Sequence, residues 1–149
     1  MSDLRDLYQE VIIDHSRRPR NFGALARHNR HAEGFNPLCG DQLTLYLEVA
    51  DGVIAAASFD GSGCAISTAS ASLMTEALKG KSVAQAEALF AGFHALVTGA
   101  APAADAALLG KLQVLAGVQE FPVRIKCATL AWHTLHAALH DQAAPVSTE

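Results

Sequence analysis

Leu43-Thr44-Leu45-Tyr46-Leu47-Glu48-Val49-Ala50-Asp51-Gly52-Val53-Ile54-Ala55-Ala56-Ala57-Ser58-Phe59 reads as a β-hairpin. Leu43, Leu45, Leu47 and Val49 alternate with Thr44, Tyr46 and Glu48. In an extended chain that period of two sends the aliphatics to one face and the polar groups to the other. Asp51-Gly52 is a two-residue turn of the kind that matches strand twist, and Val53 to Phe59 returns as the partner strand.

On the N-terminal side, Arg30 to Phe35 reads as a polar edge strand. Before it, Leu4, Leu7, Tyr8, Val11 and Ile12 recur at helical spacing, predicting a helix from Ser2 to His15 capped by Ser2 or Asp3. Pro19 ends that helix, and Asn21-Phe22-Gly23 continues as loop. On the C-terminal side, Gly61 and Gly63 are expected to break the strand. A small-residue helix follows from Ala65 to Lys79, with an apolar stripe of Ile66, Ala69, Leu73 and Ala77 and Met74 beside it. Ser82 to Val97 is a further helix with Ser82 as a candidate cap. Thr98 to Ala103 reads as a connector, Asp105 to Leu115 as a short helix, and the last helix runs from Val123 or Cys127 to His140. The sum is an α+β fold: a small antiparallel three-stranded sheet with helices packed on it. Residues 1–142 are expected to form a single domain, with 143–149 as a flexible tail.

Half of the 149 residues are hydrophobic and 17% are charged, which suits a globular chain and argues against disorder. A net charge of −4 and the lack of a basic patch argue against a nucleic-acid partner. Arg17-Arg18-Pro19-Arg20 reads as a solvated helix end, with a protein-docking surface as the alternative. The acidic, amphipathic start does not resemble a signal peptide, and no apolar run approaches the ~18 residues of a membrane span. The expected location is cytoplasmic. Three cysteines cannot complete a disulfide framework, and in a reducing compartment such residues are more often metal ligands or nucleophiles.

Each cysteine falls at the end of a predicted element. Cys39 lies in the loop before the first strong strand, Cys64 opens a helix after Gly61-Ser62-Gly63, and Cys127 lies at or near the start of the last helix. Helix N-termini favour thiolate, the form that binds metal and attacks sulfur. Asp41 follows Cys39 with Gly40 between them, a spacing that lets both side chains point one way while glycine removes steric conflict. Three thiolates and a carboxylate are the four ligands that tetrahedral zinc takes. Such a shell leaves a net charge of about −2 around the dication, which Arg124 and Lys126 beside Cys127 are placed to offset. The spacing matches no zinc-finger grammar, and small buried hydrophobes remain the competing reading of the cysteines.

The segments Asn36-Pro37-Leu38-Cys39-Gly40-Asp41, Gly61-Ser62-Gly63-Cys64-Ala65-Ile66-Ser67 and Arg124-Ile125-Lys126-Cys127-Ala128 resemble the signature segments of the U-type iron–sulfur assembly proteins. The opening Leu7-Tyr8, Ile12-Ile13-Asp14-His15 and Pro19-Arg20-Asn21-Phe22-Gly23 carries the likeness over nearly the whole chain. The scaffold branch, IscU-like, places a ligand histidine immediately before the third cysteine. Here that residue is Lys126, as in the zinc-containing SufU branch. The resemblance implies zinc held by Cys39, Asp41, Cys64 and Cys127, with Cys39 receiving persulfide sulfur from a PLP-dependent cysteine desulfurase. It implies downstream iron–sulfur assembly proteins as further partners, and a desulfurase histidine that displaces the acceptor cysteine from zinc. The alternative is a scaffold on which an iron–sulfur cluster is built and handed on.

His133, His136 and His140 share a helix face and read as a solvated or helix-end set, where imidazolium suits the dipole. His15, by its place in the opening motif, is expected to help dock partners. Trp132 and Phe121 read as core or partner-facing residues. No Cys–His–acid arrangement of a cysteine-nucleophile enzyme is recognisable.

Overall fold

The computed structural model describes residues 2–37, 39–98, 109–140 and 146–147. In chain order these form α1 (Ser2–Arg17), β1 (Arg30–Asn36), β2 (Asp41–Ala50), β3 (Val53–Ser62), α2 (Ala65–Leu78), α3 (Val83–Thr98), a 3-10 helix (Gly110–Glu120), α4 (Pro122–Leu139) and β4 (Val146–Ser147). The antiparallel sheet β3-β2-β1 is extended past β1 by the two residues of β4, which pair in parallel with Gly34 and Phe35. Val146 and Ser147 thus pair with the sheet, while the rest of 143–149 lies outside the described residues. Most of the connector expected at Thr98–Ala103 and residues 105–108 of the expected short helix also lie outside them.

The hairpin forms as its alternation dictates. Leu43, Leu45 and Leu47 are buried, and both turn residues take positive φ, +53° at Asp51 and +75° at Gly52. A register shift at Glu48/Val49 adds one residue to β3, which is why Ile54 and Ala57, three apart, both face the core. β3 does not stop at Gly61, contrary to expectation. Gly61 pairs with Leu43 at φ +137°, and a Cβ there would collide with the Gln42 carbonyl. Glycine here lets the ladder continue.

α2 departs furthest from its pattern. Instead of one apolar stripe, it buries Ala69, Ser70, Ala71, Ser72, Leu73, Met74 and Thr75 in succession, because α1, α4 and β3 enclose it. Small side chains permit that close approach, and their hydroxyls are all engaged. Ser70 Oγ donates to the Ala128 carbonyl at 2.6 Å and accepts from Trp132 Nε1 at 3.2 Å. Ser72 Oγ accepts from the Arg20 amide at 2.8 Å and meets His15 Nδ1 at 2.7 Å. Thr75 Oγ1 donates to the Ser72 carbonyl at 2.9 Å and accepts from Asn21 Nδ2 at 3.2 Å.

His15 is therefore not a docking residue. It is 2% exposed and ties α1 to α2. Burial, helped by the Arg20 charge, holds its pKa below the usual imidazole range despite Glu76 and Asp14. Within the arginine run, Arg20 turns back to pair with Asp14 at 2.6 Å.

Ser82 caps α3 reciprocally with Gln85: Ser82 Oγ accepts from the Gln85 amide and Gln85 Oε1 accepts from the Ser82 amide. From Gly110 to Glu120 the following segment is 3-10 helix, so the expected helix is 3-10 over 110–115 and the segment runs on past Leu115. Within it Leu112, Leu115 and Val118 are buried three positions apart, the period of a 3-10 turn, and Val114 is buried beside them. Pro122 starts α4 at a position where its missing N–H costs nothing. Trp132 is fully buried in the core and stacked on Phe93 at 4.6 Å, whereas Phe121 is exposed. Among the described residues no helix is long and apolar enough to cross a membrane.

Candidate metal centre

Residues 37–40 link β1 to β2, and the strand register sets Asn36 opposite Asp41 across that turn. The Cys39 amide donates back to the Asn36 carbonyl at 3.3 Å, which tightens the turn. Gly40 follows at φ +71°, with nothing within 4 Å of where a Cβ would stand. Its contribution is thus left-handed backbone, not space. The turn leaves Cys39 exposed at its tip and sends Asp41 inward, where it is 1% exposed.

Cys64 is the N-cap of α2, its sulfur accepting the Ser67 amide at 3.4 Å. The Cys64 amide in turn donates to Asp41 Oδ1 at 2.8 Å, locking the carboxylate to the start of α2. Gly63 is part of that contact: a Cβ on it would stand 2.8 Å from Asp41 Oδ1. Of the two expected starts of the last helix, Val123 is right to within one residue and Cys127 is not. Because α4 begins at Pro122, Cys127 lies in the second turn, 2% exposed, and not at the helix N-terminus. The expected help from free N–H groups is absent. Burial instead pushes its thiol far above the ordinary cysteine range, and the neighbouring Cys39, Cys64 and Asp41 push the same way.

The ligand atoms of Cys39, Asp41 and Cys127 all lie within 4.8 Å of one another. Cys127 Sγ is 3.2 Å from Cys39 Sγ, and Cys64 Sγ borders the group at 3.9 Å from Asp41 Oδ2. A tetrahedral ion with 2.3 Å bonds to sulfur asks for ligand separations of roughly 3.8 Å, so Cys39, Asp41 and Cys127 are close enough to share a soft or borderline divalent cation, while Cys64 stands at the edge of the group and is not one of the three mutually close donors. Arg124 and Lys126 make no ion pair at the centre among the described residues. The Arg124 guanidinium lies 4.5 Å over the Phe121 ring. Sequence reasoning overlooked Asn36. It is fully buried, and its Nδ2 stands 3.4 Å from Asp41 Oδ2 and 3.5 Å from Cys127 Sγ, close enough to steer both. The signal was its place two residues before Leu38-Cys39, at the last position of a strand.

The three histidines of α4 are not simply solvated. His133 and His136 are half-buried against Phe90 of α3, with ring centroids 5.5 Å away in each case, and burial lowers the pKa of His133.

An exposed thiol on a strand turn, in contact with a buried helix thiol and close to a buried carboxylate, defines a thiol–carboxylate centre open at one corner. The chain belongs to the family described as NifU-like N terminal domain, whose profile matches residues 7–128. It is 41% identical over 134 residues to the zinc-dependent sulfurtransferase SufU of Bacillus subtilis (strain 168), covering 90% of each protein. It is 43% identical over 143 residues to the iron–sulfur cluster assembly scaffold protein IscU of Streptococcus pyogenes serotype M1, covering 96% of this chain and 89% of that protein. Its fold is similar, with TM-score 0.84 and 33% identity, to a crystal structure from Fervidobacterium islandicum AW-1 described as a candidate scaffold protein for the SUF system. That likeness covers 91% of this chain and 98% of the other.

Proposed function

We propose that this chain is a zinc-bound sulfur acceptor and carrier of iron–sulfur cluster assembly, loaded by a PLP-dependent cysteine desulfurase. The observation that carries the reading is the unequal exposure of two touching thiols, Cys39 open to a partner and Cys127 sealed beneath it. The 41% identity to a protein named as a zinc-dependent sulfurtransferase supports it.

Zinc bound by Cys39, Asp41, Cys64 and Cys127 would keep the thiols deprotonated near neutral pH, against the burial that raises Cys127. The chain's own residues divide the remaining work. Asp41, fixed by the Cys64 amide and the Asn36 side chain, and Cys127, fixed in a helix, form the immobile floor. Cys39, on a four-residue turn, is the group able to move. Its thiolate attacks the outer sulfur of the donor persulfide. A Cys39 S–S bond forms, the donor's S–S bond breaks, and the donor cysteine leaves as thiolate, so sulfur moves with no net redox change.

Purified without chelator, the protein is expected to be colourless, with one zinc per chain bound at the thiolates. The scaffold reading has its own support in the 43% identity to an IscU-named protein. A brown protein holding iron and sulfide without zinc would favour it. Lys126, next to Cys127, argues against it, because lysine is not a cluster ligand.

Asn36→Ala tests the floor. Removing an amide that orients two ligands is expected to lower zinc affinity by about 10- to 100-fold, read by competition with a chromogenic chelator. An unchanged affinity in a folded variant would reduce Asn36 to a packing residue.

A further inference from the structure

We infer that Glu87 of α3 with His136 and His140 at the end of α4 forms a second, three-ligand site for a borderline divalent ion such as zinc or cobalt(II). His136 and His140 are four residues apart and share one face of the chain, their ring centroids 4.3 Å apart. Glu87 reaches between them from the neighbouring helix: Oε1 lies 3.3 Å from His140 Nε2 and Oε2 lies 3.7 Å from His136 Nδ1. All three ligand atoms fall within 4.8 Å of one another. Bonds of 2.0–2.1 Å to nitrogen and oxygen at tetrahedral angles ask for separations of roughly 3.4 Å, close to those observed.

A plain ion-pair reading leaves one atom unexplained. His136 Nδ1 is shielded from water and has no hydrogen-bond partner, since 3.7 Å is too long for one. A buried ring nitrogen aimed at a carboxylate, with a second imidazole alongside, is satisfied by a cation among them. Phe90 stacks on His136 with an interplanar angle of 27° and restrains the ring. Two imidazoles and one carboxylate suit zinc, cobalt or nickel better than calcium or magnesium, and three protein ligands leave a position for water or an outside ligand. The site would join α3 to α4. It is separate from the thiols, because His136 and His140 lie nine and thirteen positions beyond Cys127, a rise of about 14 Å and about 20 Å.

The test is cobalt(II) titration of the untagged full chain, already holding zinc, followed by equilibrium dialysis and absorption. The wild type is expected to take up about one cobalt per chain with weak ligand-field bands and no sulfur-to-metal charge transfer. Glu87→Gln and His140→Ala, the latter at an exposed residue, should each lose that cobalt while retaining the thiolate-bound zinc, which reports an intact fold. Two results would overturn the site. One is uptake undiminished in both variants. The other is a wild-type chain that takes up no cobalt, or only cobalt carrying thiolate charge transfer.

Discussion

Cys39→Ala is expected to bind a desulfurase and retain at least some zinc, yet carry no sulfur. The expectation follows from the division of the site into a fixed floor and one exposed thiol. Asp41 and Cys127 are 1% and 2% exposed and anchored by hydrogen bonds or a helix, so losing Cys39 leaves three donors in place. A water can take the fourth position on zinc, as it does in open sites. Transfer, however, needs a thiolate that reaches a partner, and neither remaining cysteine is exposed. Incubating wild type and variant with desulfurase and cysteine, then measuring intact mass, should show the added mass of one sulfur atom on the wild type alone. Persulfide on the variant, or wild-type persulfide mapped to Cys64 or Cys127, would refute the assignment.

Trp132→Ala should be the most damaging single truncation of the core. The indole is fully buried, stacked on Phe93 at 4.6 Å, and its Nε1 donates to Ser70 Oγ. Removing it opens a large cavity between α2, α3 and α4 and takes a partner from a buried hydroxyl. The expected loss is about 3–5 kcal/mol, a fall in melting temperature on the order of 10 °C for a domain of this size. Chemical denaturation of the two chains under identical metal loading measures it. A loss below about 1 kcal/mol would mean that the surrounding helices collapse into the space.

The parts of this fold visible in the sequence are those where one local rule decides. Leu43, Leu45 and Leu47 with Asp51-Gly52 specify the hairpin unaided, and Ser82 with Gln85 specifies a helix start. Burial of α2 escaped because serine and threonine read as surface residues. Only the tertiary partners of Ser70, Ser72 and Thr75 show otherwise. The 3-10 helix places Leu112, Leu115 and Val118 at a period of three, which a search for 3.6 passes over, with Val114 buried out of that period. At the metal centre, Cys39, Asp41 and Cys64 stand at the element ends their neighbours announce. Cys127 does not, since Pro122 had already opened the helix. Asn36 and the pairing of Glu87 with two histidines depend on contacts across the fold, which local pattern cannot supply.

The thiols of the centre come from a turn, a helix cap and the body of the last helix, so no continuous peptide from this chain reproduces it. A nascent chain that has emerged as far as Cys64 offers two thiols and a carboxylate but no closed cage. Capture of a metal there would wait until α4 has emerged and docked against α2 and the sheet. In a cell short of metal, chains would accumulate with α4 placed and their cage empty. Metal occupancy would then report supply, and its appearance on a ribosome-bound chain would mark the moment α4 arrives.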